Sequence, residues 1–332
     1  MESTSVPVRL AVLLSLAMSG PLAQGASNEA ALVSVATVAM PNVKGRIDHF
    51  AVDVKGRRLF VAALGNDTVE VIDTDKNRHE RSIPGFREPQ GLLYLPQAQV
   101  LYVANAGGGV DILKGGTFAP ARRLEGLDDA DNVRSDASAG VVIVGYGKGG
   151  LRLLDAASGQ PKGDIRLTGH PESFQLERGG ARVFVNVPTA RQIAVADRSK
   201  GQVIATWPVS ARSNFPMALD ESGHRLLVGA RSPAALLVYD VDSGKEVARL
   251  EIGGDSDDLF FEAASKRIYV ICGEGRIDVI RQESPDRYAR EALVKTAPGA
   301  RTGLWVPEER RLYVAAPAAG SSPARILVYQ AK

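Results

Sequence analysis

Apolar runs recur down this chain with one spacing. They read Arg58-Leu59-Phe60-Val61-Ala62, Val100-Leu101-Tyr102-Val103-Ala104, Val141-Val142-Ile143-Val144-Gly145, Arg182-Val183-Phe184-Val185-Asn186, Arg225-Leu226-Leu227-Val228-Gly229, Lys266-Arg267-Ile268-Tyr269-Val270 and Arg311-Leu312-Tyr313-Val314-Ala315. Aligned positions lie 41 to 44 residues apart, so the chain holds seven copies of one unit. In most units a second run follows about ten residues later, as at 69–73, 151–155, 193–197 and 236–240, and a looser one ends the unit, as at 246–250. Short Val/Ile/Tyr/Phe runs separated by Gly and Asp are strands. Four strands in a unit of this length make a propeller blade. The pattern therefore predicts an all-β, seven-bladed β-propeller of four-stranded antiparallel blades.

The seventh unit stops after its third run, Ile326-Leu327-Val328-Tyr329, and an orphan apolar stretch stands at 31–38. The economical solution is that this N-terminal strand completes the last blade, removing two sheet edges that would otherwise invite aggregation. Four of the third runs end in Asp (Asp73, Asp155, Asp197, Asp240). Their spacing invites a metal reading, but Asp before Ser or Lys and Gly is the signature of a tight turn capped by the Asp side chain.

The segments Leu-Phe-Val-Ala (59–62), Leu-Tyr-Val-Ala-Asn (101–105) and Val-Glu-Val-Ile-Asp (69–73) resemble the YVTN-type propeller repeat of exported bacterial proteins. The resemblance covers about residues 30–330. It implies the propeller fold and export. For activity it implies only a range: binding platforms, electron-transfer partners and, in neighbouring families, lactonases.

Composition narrows the classes. Forty Lys and Arg against 38 Asp and Glu leave no basic field for nucleic acid, and 6% aromatics offer no base-stacking platform. Residues 1–25 read as a signal peptide: Arg9 supplies the positive start, 10–18 a short apolar core, and Ala23-Gln24-Gly25 small residues for cleavage. Residues 26–332 then form one propeller domain, periplasmic or secreted, with no later stretch apolar enough to span a membrane. Cys272 is the single cysteine, so no intramolecular disulfide forms, and an inert residue at a strand end explains it better than a catalytic thiol.

Candidate chemistry lies where the repeat loses uniformity, in the segments leading into each first strand. One equivalent position gives Asp48, Gln90, Asp131, Glu172, Phe215, Asp257 and Arg301 around a ring. Four carboxylates converging on one channel repel, and a bound cation, a counter-charge such as Arg46 or Arg301, or protonation relieves this. The carboxylates and amides suit a hard cation such as Ca²⁺, with Asp48, Asp131, Asn132, Glu172, Asp257 and Asp258 as ligands. His49 and His170 add nitrogens that suit Zn²⁺, whereas His79 and His224 fall in turns on the far side. Arg46, Gln90, Asn105, Tyr146, Asn186 and Arg231 complete a polar face for a ligand. Two functions follow: a binding or scaffold propeller for a small ligand, metal ion or periplasmic partner protein, and a metal-dependent, lactonase-like hydrolase. In the second, His49 or His170 serves as general base and Arg301 stabilises the oxyanion. A channel lined with polar groups that simply holds water is the plain alternative to both.

Overall fold

The computed structural model describes residues 1–2 and 31–332. The expected signal peptide, apart from Met1 and Glu2, lies outside the described residues. Seven four-stranded antiparallel sheets follow one another along the chain. The first blade comprises Phe50–Asp53, Arg58–Ala63, Thr68–Asp73 and Arg78–Pro84, in that order from the inside out. The inner strand of blade one touches both Pro89–Leu95 of blade two and Gly303–Val306 of blade seven, which closes the ring. Helical structure among the described residues is two 3₁₀ turns, Leu64–Asn66 and Pro188–Ala190.

The N-terminal strand closes blade seven. Leu32–Met40 pairs antiparallel with Ala324–Ala331, from Leu32 opposite Ala331 to Met40 opposite Ala324. In the other six blades a bulge interrupts the pairing of third and fourth strands; in blade one, Val71 faces Arg81 and Ile72 faces His79, leaving Glu80 unpaired. The N-terminal strand repeats this, with Val35 unpaired between Ser34 opposite Tyr329 and Ala36 opposite Val328. The extra residue bends each outer strand and raises its twist. Val35 is correspondingly 50% exposed.

Seven hydrophobic clusters hold the ring, one between each pair of neighbouring blades. The large residue central to each repeat fills them: Phe60, Tyr102, Phe184, Tyr269 and Tyr313 are all buried. Polar ties add to this at the end of the inner strands. Arg198 donates to Asp136, and Gln282 to Asp220, each across a blade boundary. The Asp residues ending the third strands cap turns: Asp73 accepts from the amides of Asp75 and Lys76, Asp155 from Ser158, Asp197 from Ser199 and Lys200, and Asp240 from Ser243.

Two expectations need correction. His79 sits in the outer strand Arg78–Pro84 rather than in a turn, 2.6 Å from the buried Glu70. Cys272 is the second: the loop that follows the strand Arg267–Cys272 was expected to carry it to the polar channel face, but it ends the strand fully buried, and burial and the neighbouring Asp278 carboxylate push its thiol pKa up, which makes it a poor nucleophile.

Candidate functional site

A turn precedes each inner strand. Two residues before the ring position the backbone is left-handed at Glu88, Asp129, Ser213, Asp255 and Gly299, with φ between 47° and 78°. For a residue with a side chain this conformation costs about 1–3 kcal/mol. The repeated turn brings the variable residues together. Gln90, Asp131, Glu172, Phe215, Asp257 and Arg301 line one cavity of about 200 Å³ at the channel mouth, with Arg46, Asp129, His170 and Arg231. Asp48, the seventh ring residue, is buried and takes a 2.6 Å bond from Arg46 Nη2.

Cations and carboxylates alternate in this cavity. Arg231 donates through Nη2 to Asp257 Oδ1 at 2.7 Å and through Nε to the Ser256 carbonyl at 2.8 Å, with its guanidinium 4.0 Å over the Phe215 ring. Arg301 Nε lies 3.0 Å from Asp257 Oδ2, close enough for an ion pair but out of line for a hydrogen bond. Its Nη1 donates to both oxygens of Asp255 at 3.1 Å. Burial, opposed by Arg231, raises Asp257 to a pKa of about 6. Glu172 has no arginine partner. Burial and the Asp131 and Asp257 charges push it to about 8, so it is mostly protonated at neutral pH.

The two histidines sit among carboxylates. His49 Nδ1 lies 3.3 Å from Asp258 Oδ2, and its Nε2 lies 3.5 Å from Asp48 Oδ1 and 3.8 Å from Asp131 Oδ1. Burial opposes its charge, yet Asp258 and Asp48 outweigh burial and hold its pKa well above the ordinary value. His170 Nδ1 donates to the Gly147 carbonyl at 2.7 Å, and Nε2 lies 4.0 Å from Asp131 Oδ2. Burial again opposes charge, and Asp131 and Gly147 carry it to about 9. His170 is therefore mostly a cation at neutral pH, and His49 is shifted in the same direction. An imidazolium donates a proton and does not accept one, so these shifts work against the general-base role expected of His49 or His170.

The six expected metal ligands are dispersed over two levels. Asp131, Glu172 and Asp257 line the mouth, while Asp48, Asn132 and Asp258 surround His49 below it. Asn132 Oδ1 accepts from Arg134, and Asp258 Oδ2 from the Gly303 amide. Among the described residues no three His, Cys, Asp or Glu side chains converge as a ready-made metal cage. Of the expected ligand-binding residues, Arg46, Gln90 and Arg231 line the mouth and three do not. Asn105 is buried and spent on Val103, Gly109 and Asp111. Asn186 is buried and donates to the Phe215 carbonyl. The Tyr146 hydroxyl donates to Asp164, in its own blade's outer strand. Asn105 and Asn186 end up in strands, where a buried amide satisfies itself locally. Asp129 and Asp255 join the site unforeseen; their position two residues before the ring, in the left-handed turn, was the available signal.

No family model matches the chain, and no curated protein does. Solved structures do: 1870 chains match, so the fold is too widespread to select a function. One is the hydrazine synthase of Kuenenia stuttgartiensis, 14% identical, with a TM-score of 0.72 over 82% of this chain and 94% of that one. At that identity the likeness is one of fold alone.

Proposed function

We propose that this protein is an exported binding propeller whose channel mouth captures a small polar ligand carrying both an anionic and a cationic or hydroxyl group. The observation that carries this reading is the alternation of Arg46, Arg231, Arg301 and His170 with Asp131, Glu172 and Asp257 around one 200 Å³ cavity. That volume is below the usual ~300–1,000 Å³ of a drug-sized site, which points to a compact metabolite. Arg231 Nη1 and Arg301 Nη2 make no hydrogen bond among the described residues and can donate to a carboxylate or phosphate, and the protonated Glu172 offers a neutral donor. Export rests on the sequence of residues 1–25 and the repeat resemblance. A thermal-shift screen of small amino acids, hydroxy acids and dicarboxylates tests the site. Ligands that stabilise the native protein should lose that effect in Arg231→Ala/Arg301→Ala. A hit that stabilises the double variant equally would place binding elsewhere.

One observation favours the second reading, a cation-dependent hydrolase. Asp48 Oδ1, Asp131 Oδ1 and Asp257 Oδ2 are buried without a hydrogen-bond partner, and orphaned carboxylate oxygens suit a cation or an ordered water. Against it, Asp48 and Asp257 already hold arginines on their other oxygens, and Arg301 Nε lies 3.0 Å from Asp257 Oδ2, so a cation would share these carboxylates with arginines.

A further inference from the structure

The channel contains a second cavity beyond the charged mouth. It holds about 460 Å³, within the range of small-molecule sites, and is walled by the inner strands of all seven blades. Its wall mixes apolar side chains, Leu93, Met217, Phe260, Leu304 and Trp305 among them, with nearly as much polar surface. Three charged residues enter it: His49, Asp258 and Arg134. The His49–Asp258 pair at 3.3 Å satisfies itself and stands between the cavity and the mouth. Arg134 is different. Among the described residues no carboxylate lies within 4 Å of its guanidinium. Two of its five N–H donors are used, Nη1 on the Val133 carbonyl at 3.0 Å and Nη2 on Asn132 Oδ1 at 2.9 Å. Its flat face lies 5.6 Å from the Phe174 ring centre. The charge is thus held in place without a contacting carboxylate; burial opposes it, and Asp258 and Asp131 favour it only from a distance.

We infer that this cavity binds an amphipathic monocarboxylate, with the carboxylate on the Arg134 guanidinium and the apolar body along the channel wall. Charge complementarity sets the class. Of the charged residues lining the cavity, His49 and Asp258 pair with each other and Arg134 alone has no carboxylate in contact, and its three free N–H donors match a planar anion. A cationic amphiphile would leave Arg134 unpaired and add a second positive charge. A neutral one would gain the apolar side chains of the wall alone. This site is separate from the mouth and does not depend on the ligand proposed there.

Calorimetric titration of the purified protein with decanoate, 1-decanol and decyltrimethylammonium tests the inference. Decanoate should bind saturably, one per chain, at least tenfold more tightly than decanol. Arg134→Gln should erase that preference, and Arg134→Lys, which keeps charge but loses the fork, should restore part of it. Equal affinity for decanoate and decanol, or an unchanged preference in Arg134→Gln, would overturn the proposal. If Arg134→Gln does not fold, Trp207→Phe leaves Trp305 as the sole indole of a chain that has two tryptophans. Its fluorescence should then change saturably with decanoate and not with the cationic amphiphile; the reverse order sinks the idea.

Discussion

Asp257 shows how one buried charge is kept in place. Its carboxylate is 8% exposed and depends on Arg231, whose bond is in line, and on Arg301, whose Nε is near but misaligned. Breaking a buried pair leaves an uncompensated charge, which costs about 3–5 kcal/mol. Because Arg301 stays 3.0 Å from Asp257, Arg231→Ala should destabilise the protein by less than that at pH 8, where Asp257 is ionised, by about 1.5–3 kcal/mol for the lost charged hydrogen bond. The loss should be smaller at pH 5, below its pKa of about 6. Urea unfolding at the two pH values checks this, and an equal loss at both would mean that Arg231 acts through its stacking on Phe215 instead. Glu172 and His170 set the wider pH response. Both have folded pKa values raised above the ordinary ones, to about 8 and about 9. The folded state then holds more protons than the unfolded chain, so stability falls as pH rises. For Glu172 the loss spans about pH 4.5 to 8, and for His170 about 6.5 to 9. The melting temperature should decline from pH 6 to 9, and Glu172→Gln should flatten that slope below pH 8. These residues were legible as a ring because they share one position in the repeat. Their pairing was not, because which arginine meets which carboxylate depends on loops from neighbouring blades, as with Arg231 of blade five reaching Asp257 of blade six.

At the scale of strands, the repeat carries nearly all the information. The aromatic or large apolar residue in the middle of each second strand is the one that fills the cleft between blades, and its replacement should be costly anywhere in the ring. Phe184 is fully buried and packs tilted against Trp207, ring centres 5.4 Å apart. Phe184→Ala should cost about 3–5 kcal/mol, measurable by denaturant titration; a loss below 1 kcal/mol would show that the cleft collapses around the gap. The closing strand was visible for the same reason, as a unit with three runs and an orphan fourth. What periodicity could not show was the bulge shared by all blades, since one unpaired residue changes no hydrophobic position inside the cleft. That bulge identifies Leu32–Met40 as a true fourth strand, carrying Val35 where blade one carries Glu80. Deleting residues 31–40 should abolish cooperative unfolding, and a deletion protein that melts in one transition near the native temperature would refute the closure.

Over the whole molecule, the channel divides into a charged mouth and a larger cavity of mixed apolar and polar lining, with His49 and Asp258 at the edge of the second. The division follows from the alternation of strand residues below the lead-in turns and irregular polar residues within them. Metal content decides which way the mouth is read. Elemental mass spectrometry on protein purified without chelator should find no stoichiometric Ca²⁺ or Zn²⁺ if the arginines satisfy the carboxylates. A stoichiometric ion lost in Asp48→Ala or Asp257→Ala would instead move the mouth to the hydrolase reading and call for a screen of lactones and esters.

The closure of blade seven also fixes how the ring would respond to force. The amide of Lys332 donates to the carbonyl of Ala31, so both ends of the described fold emerge at one corner of the same sheet. Tension applied between them would load the Leu32–Ala331 end of the strand pair first and part it one hydrogen bond after another, as a zipper opens, instead of shearing all the bonds together. The seam that stabilises the propeller against heat and denaturant is therefore its weakest line under mechanical load, and a single-molecule pull on the two ends should release the N-terminal strand before any blade comes apart.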